Sequence, residues 1–233
     1  MTAIEVPTSS TTFRGAPFAV AWRSVALGWS KDKARPVLDH TIAVEVFEHG
    51  VRLVSTDSYV LLHTWVGADE YTGEAPPISE RPISTVVAQD SYGRSIGLMA
   101  HVINIASDEN APRVDVVLGV GVMDDDPFVL AGMARPCVTL AVADQELLRL
   151  PLVESDFPDW RALLDGFTPV MTDAIALQPK LVARLAKLGD FHDNQPLRWQ
   201  WGGPEGMALI DVVGSDPFVS GLVMPVRIVE GEA

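Results

Sequence analysis

Three times along the chain, a stretch patterned for a helix is followed by runs of β-forming residues, with Gly- and Pro-rich breakers between the sets. The last set is the clearest. Leu177, Leu181, Leu185 and Leu188 recur at spacings of four, four and three, which one face of a helix requires. Pro179 suits a first helical residue, whose N–H needs no partner, and Gly189 suits the end. Strands are expected to follow at 197–201, 208–213 and 219–229, with a short leading strand at 174–177. The first set reads as a helix over 18–29 and strands over 42–47, 51–55 and 60–66, with a tight turn at Glu48-His49-Gly50. The second reads as a strand over 83–88, a helix over 92–106 capped by Asp90 or Ser91, and strands over 114–122, 137–143 and 147–153. The repeating unit is therefore βαβββ, and the fold class is α+β.

Composition narrows the function. The 233 residues carry 48% apolar and 21% charged residues, as a soluble globular protein does, and no apolar run approaches the roughly 20 residues of a membrane helix. Residues 1–12 are polar and Ser/Thr-rich, unlike a signal peptide, and read as a short disordered arm in a cytoplasmic protein. Cys137 is the only cysteine, so no intrachain disulfide and no cysteine metal cluster is expected. His40, His49, His63, His101 and His192 show no zinc spacing, and Asp124-Asp125-Asp126 reads as a solvated turn; no metal and no cofactor is expected. No nucleophile elbow, phosphate loop or dinucleotide fingerprint is present. A net charge of −14 argues against tight coating of nucleic acid, which depends on Lys and Arg neutralising phosphates. What matters is where the 17 basic residues lie.

Several stretches together resemble the bacterial replicative sliding clamp, the beta subunit of DNA polymerase III. They are Arg35-Pro36-Val37-Leu38, the turn Thr56-Asp57-Ser58-Tyr59, Phe157-Pro158-Asp159-Trp160-Arg161, and Leu222-Val223-Met224-Pro225-Val226-Arg227-Ile228. Where the family has Gly-His-Arg after Thr-Asp, this chain has Ser58-Tyr59-Val60. The resemblance implies a clamp fold with antiparallel sheets outside and helices lining a concave face. It implies one two-unit clamp domain over 13–165 and a second domain or half-domain over 166–233. It implies a processivity factor in DNA replication, not an enzyme, that encircles double-stranded DNA as a homo-oligomeric ring, is placed there by a clamp loader, and tethers a DNA polymerase. The chain's shortness suggests a compact version such as a bacteriophage encodes. The other reading is a clamp-like interaction protein that does not encircle DNA and regulates host replication.

The resemblance also implies site residues. Arg35, Leu38, Thr56, Ser58, Tyr59, Leu61, Leu222, Met224, Pro225 and Val226 are expected to form a pocket for clamp-binding peptides; alternatively Leu61, Leu222 and Val226 are core residues of their strands. Lys180, Arg184 and Lys187 share one helical face, and with Arg23 and Arg94 are expected to face DNA; alternatively they form a solvated face. With three units, one lacks a partner. Either the chain holds two full domains, or the third unit pairs with its equivalent in a second copy, burying residues such as Leu185 and Trp199.

Overall fold

The computed structural model describes residues 9–69, 71, 73–107, 113–122, 136–142, 145–153, 156–171, 175–203 and 206–225. The element order is β1 (Ser9–Arg14), α1 (Gly15–Ala26), β2 (Thr41–Phe47), β3 (Gly50–Thr56), β4 (Val60–Gly67), β5 (Ser84–Gln89), α2 (Arg94–Ala106), β6 (Asp115–Val122), β7 (Pro136–Val142), β8 (Gln145–Pro151), α3 (Trp160–Asp165), α4 (Pro179–Phe191), β9 (Leu197–Trp201), β10 (Ala208–Val212) and β11 (Val219–Val223). Two sheets, antiparallel throughout, carry the strands. One runs β1-β6-β7-β8 and the other β5-β2-β3-β4-β11-β10-β9. The first two units exchange their leading strands, so β1 pairs with β6 and β5 with β2. The sheets also touch where β8 ends: the Val153 N–H donates to Val87 O at 2.8 Å.

α1 starts three residues earlier than the pattern predicts, because β1 runs straight into it. Gly15 stands at the junction, where a Cβ would lie 2.6 Å from Val114 O. Phe18, Ala21, Trp22 and Val25 then bury against Ile42, Val44 and Leu53 on one face of the second sheet, and against Met99 and Val102 of α2. α2 begins at Arg94. The Asp90 carboxylate accepts the N–H groups of Arg94 (2.9 Å) and Ser95 (2.7 Å), satisfying two orphan donors of the first turn. In α4, Leu181, Leu185 and Leu188 bury against Val60, Leu62, Ile210 and Val219, and the helix continues through Gly189 to Phe191.

Three expectations are corrected. Ser9–Thr12 are not a loose arm but most of β1, held by backbone pairing to 117–120 of β6. Leu185 is fully buried inside its own chain, because the leucine face of α4 already has β10 and β11 beneath it. Ile175–Leu177 belong to no strand. β2 and β3 are buried on both faces, one under α1 and the other under α3 and its approach. The acidic run 124–126, Val226 and the rest of the expected last strand lie outside the described residues. Among those residues no helix is long and apolar enough to cross a membrane.

Candidate functional site

The β3–β4 turn is built by its own side chains. Asp57 Oδ1 accepts the N–H groups of Tyr59 (2.8 Å) and Val60 (2.7 Å), and Thr56 Oγ1 accepts that of Ser58 (3.1 Å). Ser58 sits at φ 78°, a left-handed conformation that costs a non-glycine residue energy. Its Oγ accepts from Arg35 Nη1 at 3.1 Å, which ties the loop after α1 to the turn. Asp57 Oδ2 accepts from Arg184 Nη1 of α4 at 2.7 Å.

These contacts enclose one side of an open cavity of about 1250 Å³ between α1, α4, the loop after α1 and the β3–β4 turn. Arg23, Lys31, Arg35, Lys180, Arg184 and Lys187 line it, against the carboxylates of Asp32, Asp57 and Asp190. Six of the 17 basic residues thus gather on the helix side of a chain whose net charge is −14. Arg23 lies over the Phe191 ring at 4.3 Å, and Arg23 Nε, Arg184 Nε and Arg184 Nη2 are buried donors with no hydrogen-bond partner among the described residues. Buried donors of this kind favour an anionic ligand, because leaving them unpaired is costly.

The structure brings together Arg23, Lys180, Arg184 and Lys187 from the residues expected to face DNA. Arg94 does not line the cavity; it is exposed and lies over the Tyr92 ring at 5.5 Å. Arg35 and Tyr59, expected in the peptide pocket, line the same cavity as the basic stripe. The rest of that set divides. Tyr59 and Met224 are exposed neighbours joined by the bond from Met224 N–H to Tyr59 O (2.8 Å). Leu61 and Leu222 face each other across β4 and β11 and are buried, with Trp160 in their cluster and Phe157, Leu164, Phe167, Met207 and Leu209 packed against it. They are core residues, the second of the two readings open from the sequence. Leu38 and Thr56 are also buried.

Sequence reasoning missed Lys31, whose loop position carries no periodicity. It also missed a charged cluster on the opposite face of the sheet. There Glu45 accepts Arg161 Nη1 and Nη2, each at 2.6 Å, and Trp160 Nε1 at 3.0 Å. Arg52, directly opposite Glu45 in the β2–β3 ladder, lies 3.8 Å from it. The cluster holds α3 against the sheet.

No sequence profile of a known family and no curated protein sequence matches the chain. Solved structures do. The chain superposes on a DnaN sliding clamp, DNA polymerase III subunit beta, from Pseudomonas aeruginosa with a TM-score of 0.60 at 13% identity, over 98% of this chain and 68% of that one. A DNA polymerase sliding clamp from Bacillus subtilis gives 0.61 at 12% identity, over 98% and 66%. The fold is the sliding-clamp fold.

Proposed function

We propose that the chain is a shortened, clamp-like DNA tether, a non-enzymatic processivity factor of the compact kind a bacteriophage encodes. The observation that carries the reading is the concentration of cations at the cavity between α1 and α4 in an otherwise acidic molecule. Phosphate contacts from such a face hold DNA without reading its sequence, and a loose, water-filled contact permits sliding. The rest of the chain carries the net negative charge, which disfavours DNA away from this face. In the encircling form, copies of the chain close round double-stranded DNA with the help of a loader, and a polymerase peptide docks near Tyr59 and Met224.

Lys180 and Lys187 are exposed on α4 and provide the clean test, since Arg184 is committed to Asp57. Lys180→Glu with Lys187→Glu is expected to weaken binding to a linear duplex at least 10-fold at low salt. It should lower the slope of log affinity against log salt by about 2, one unit for each lost phosphate contact. Thermal stability should move little, as surface charges contribute little to folding. An unchanged affinity and salt slope would remove DNA from this face.

The peptide site is narrower than the sequence implies, because Leu61 and Leu222 are covered. Met224→Ala is expected to weaken a polymerase-tail peptide by about 1–2 kcal/mol, measured by calorimetry, while Leu61→Ala should act through stability instead. Equal affinity in wild type and Met224→Ala would end the assignment of that patch.

The alternative reading, a clamp-like protein that regulates replication without encircling DNA, is favoured by one observation: the third unit, α4 with β9–β11, has no companion unit among the described residues. Retention on closed circular DNA but release from the same DNA after linearisation separates the two, since only a ring is trapped topologically.

A further inference from the structure

We propose that two copies of this chain join about a two-fold axis through their third units, each completing a core that the other leaves half covered. The pattern is set by the first two units. Each lends its leading strand to the other's sheet: β1 leads into α1 but pairs with β6, and β5 precedes α2 but pairs with β2. Their helices lie side by side and antiparallel. A Cβ on Gly15 would sit 3.0 Å from Val102 Cγ1, and seven residues further along α1 the Trp22 Nε1–H donates to Ser95 Oγ, seven residues back along α2, at 2.9 Å. Exchanged strands and antiparallel helices are what a two-fold relation between units produces.

The third unit repeats the helix and the three following strands, and three of its surfaces await a companion. The first is the outer edge of β9, the position that β2 and β6 hold in their units. Among the described residues no strand pairs there; only Val170 bridges its end, donating to Trp201 O at 2.6 Å. Pro196 O and the Gly202 N–H bond toward β10, so by alternation the backbone groups of Leu197 and Trp199 point outward from the open edge.

The second surface is a flank of α4. α1 packs on the sheet with one flank, on α4 with another through Arg23 and Ser24, and on α2 with a third through Gly15 and Trp22. α4 packs its leucines on the sheet and turns Arg184 and Phe191 toward the α1 side. Its remaining flank, Pro179, Val182 and Ala186, is exposed and uncharged. That flank corresponds to the α2-facing side of α1. The third surface is the rim of the core, where Ile175, Leu177, Leu197, Trp199 and Trp201 stay only partly buried. Their counterparts in the first core, such as Phe13 and Val44, are fully buried.

One chain carries both the giver and the receiver. Ile175–Leu177 stand just before α4, as β1 stands before α1, and belong to no strand; β9 is the edge such a strand would extend. A second copy therefore satisfies both surfaces at once, by the same contact made twice, which is the isologous arrangement of most homodimers. Pairing α4 with its symmetry mate would place Val182 close to the axis.

Sedimentation equilibrium over a wide concentration range is the first test, with twice the 25.2 kDa chain mass expected. Val182→Glu with Ala186→Glu, both at exposed positions, is expected to give a monomer with an unchanged far-ultraviolet circular dichroism spectrum. Val182→Cys in a Cys137→Ala background is expected to form a disulfide-linked dimer under mild oxidation. The Leu197 and Trp199 amides should be protected from hydrogen exchange in the wild type and lose at least 10-fold in protection in the double-glutamate variant. A wild type that stays monomeric at every concentration overturns the proposal. So does an oligomer that the double variant leaves intact and Val182→Cys fails to cross-link. A monomer that still binds DNA would end this pairing and leave the tether reading standing; a dimer indifferent to DNA would do the reverse.

Discussion

Glu45→Ala is expected to lower the unfolding free energy by about 3–5 kcal/mol, the cost of removing one partner from a buried ion pair. Glu45 is 2% exposed, and its carboxylate is the one acceptor that Arg161, Trp160 and Arg52 share. Arg52 is equally buried. Burial pushes its pKa down, and Glu45 is the largest influence in the opposite direction. Its Nη2 donates to the carbonyls of Pro76 and Pro77, but Nη1 has no hydrogen bond among the described residues and relies on the charge of Glu45. Without the carboxylate a buried guanidinium is left uncompensated and α3 loses its bidentate anchor. Arg161 keeps only carbonyl partners, chiefly Ile78 O at 2.8 Å. Pairing Glu45→Leu with Arg52→Leu is expected to cost less than Glu45→Ala alone, because no lone charge remains. Urea unfolding of the three proteins checks both statements. A loss below about 1 kcal/mol for Glu45→Ala would show that water already reaches the cluster.

The same cluster marks where the sequence stops being legible. Along β2, Ile42, Val44 and Val46 alternate with Ala43, Glu45 and Phe47, and along β3 Arg52 stands among apolar neighbours. Alternation places a charge on the face away from α1, and the natural inference is solvent. Covering that face is a tertiary event, made by α3 and its Phe157 approach from more than a hundred residues away, and nothing local announces it. The units themselves were legible because helical and strand periods alternate cleanly, and α4 most of all, since its leucines permit no other period. β1 was not, because Ser9–Thr12 are held by backbone pairing to β6 rather than by an apolar face. The basic stripe of α4 could be read from its spacing. Its meeting with Lys31 and Arg35 could not, because those two lie in a loop held by backbone bonds such as Ser30 N–H to Leu38 O and His40 N–H to Ser30 O, together with the bond from Arg35 to Ser58. The peptide residues split for a simple reason. Leu61 and Leu222 point to the face that α3 covers, while Tyr59 and Met224 lie just beyond the ends of their strands.

Acid is expected to destabilise the protein from about pH 6.5 downward. His63 lies on β4, fully enclosed, stacked on Trp160 at 5.4 Å. Burial first, then the charges of Arg52 and Arg161, lower its pKa from 6.5 to about 3. The unfolded chain takes up this proton near pH 6.5 and the folded chain resists until about pH 3. Within that window the unfolded state binds more protons, so stability falls as pH falls, by up to about 1.4 kcal/mol per pH unit from this group. Above pH 6.5 the contribution is complete and flat. His192, near Ser24 on α1, is also held below its usual value by burial and adds in the same sense over the upper part of the window. Comparison with a variant isolates the imidazole, because every other titrating group is common to both proteins. His63→Phe keeps a ring against Trp160 and removes the proton site. Its urea midpoint should fall less steeply than the wild type's between pH 6.5 and 4, so that the difference between the two curves moves steadily in the variant's favour as pH drops. Parallel curves over that range would mean that His63 is protonated in the folded protein despite its two arginine neighbours. A difference that moves in the variant's favour would instead tie the acid sensitivity to the α3 contact, since the groups that repel the imidazolium, Arg52 and Arg161, belong to the cluster that holds α3 on the sheet.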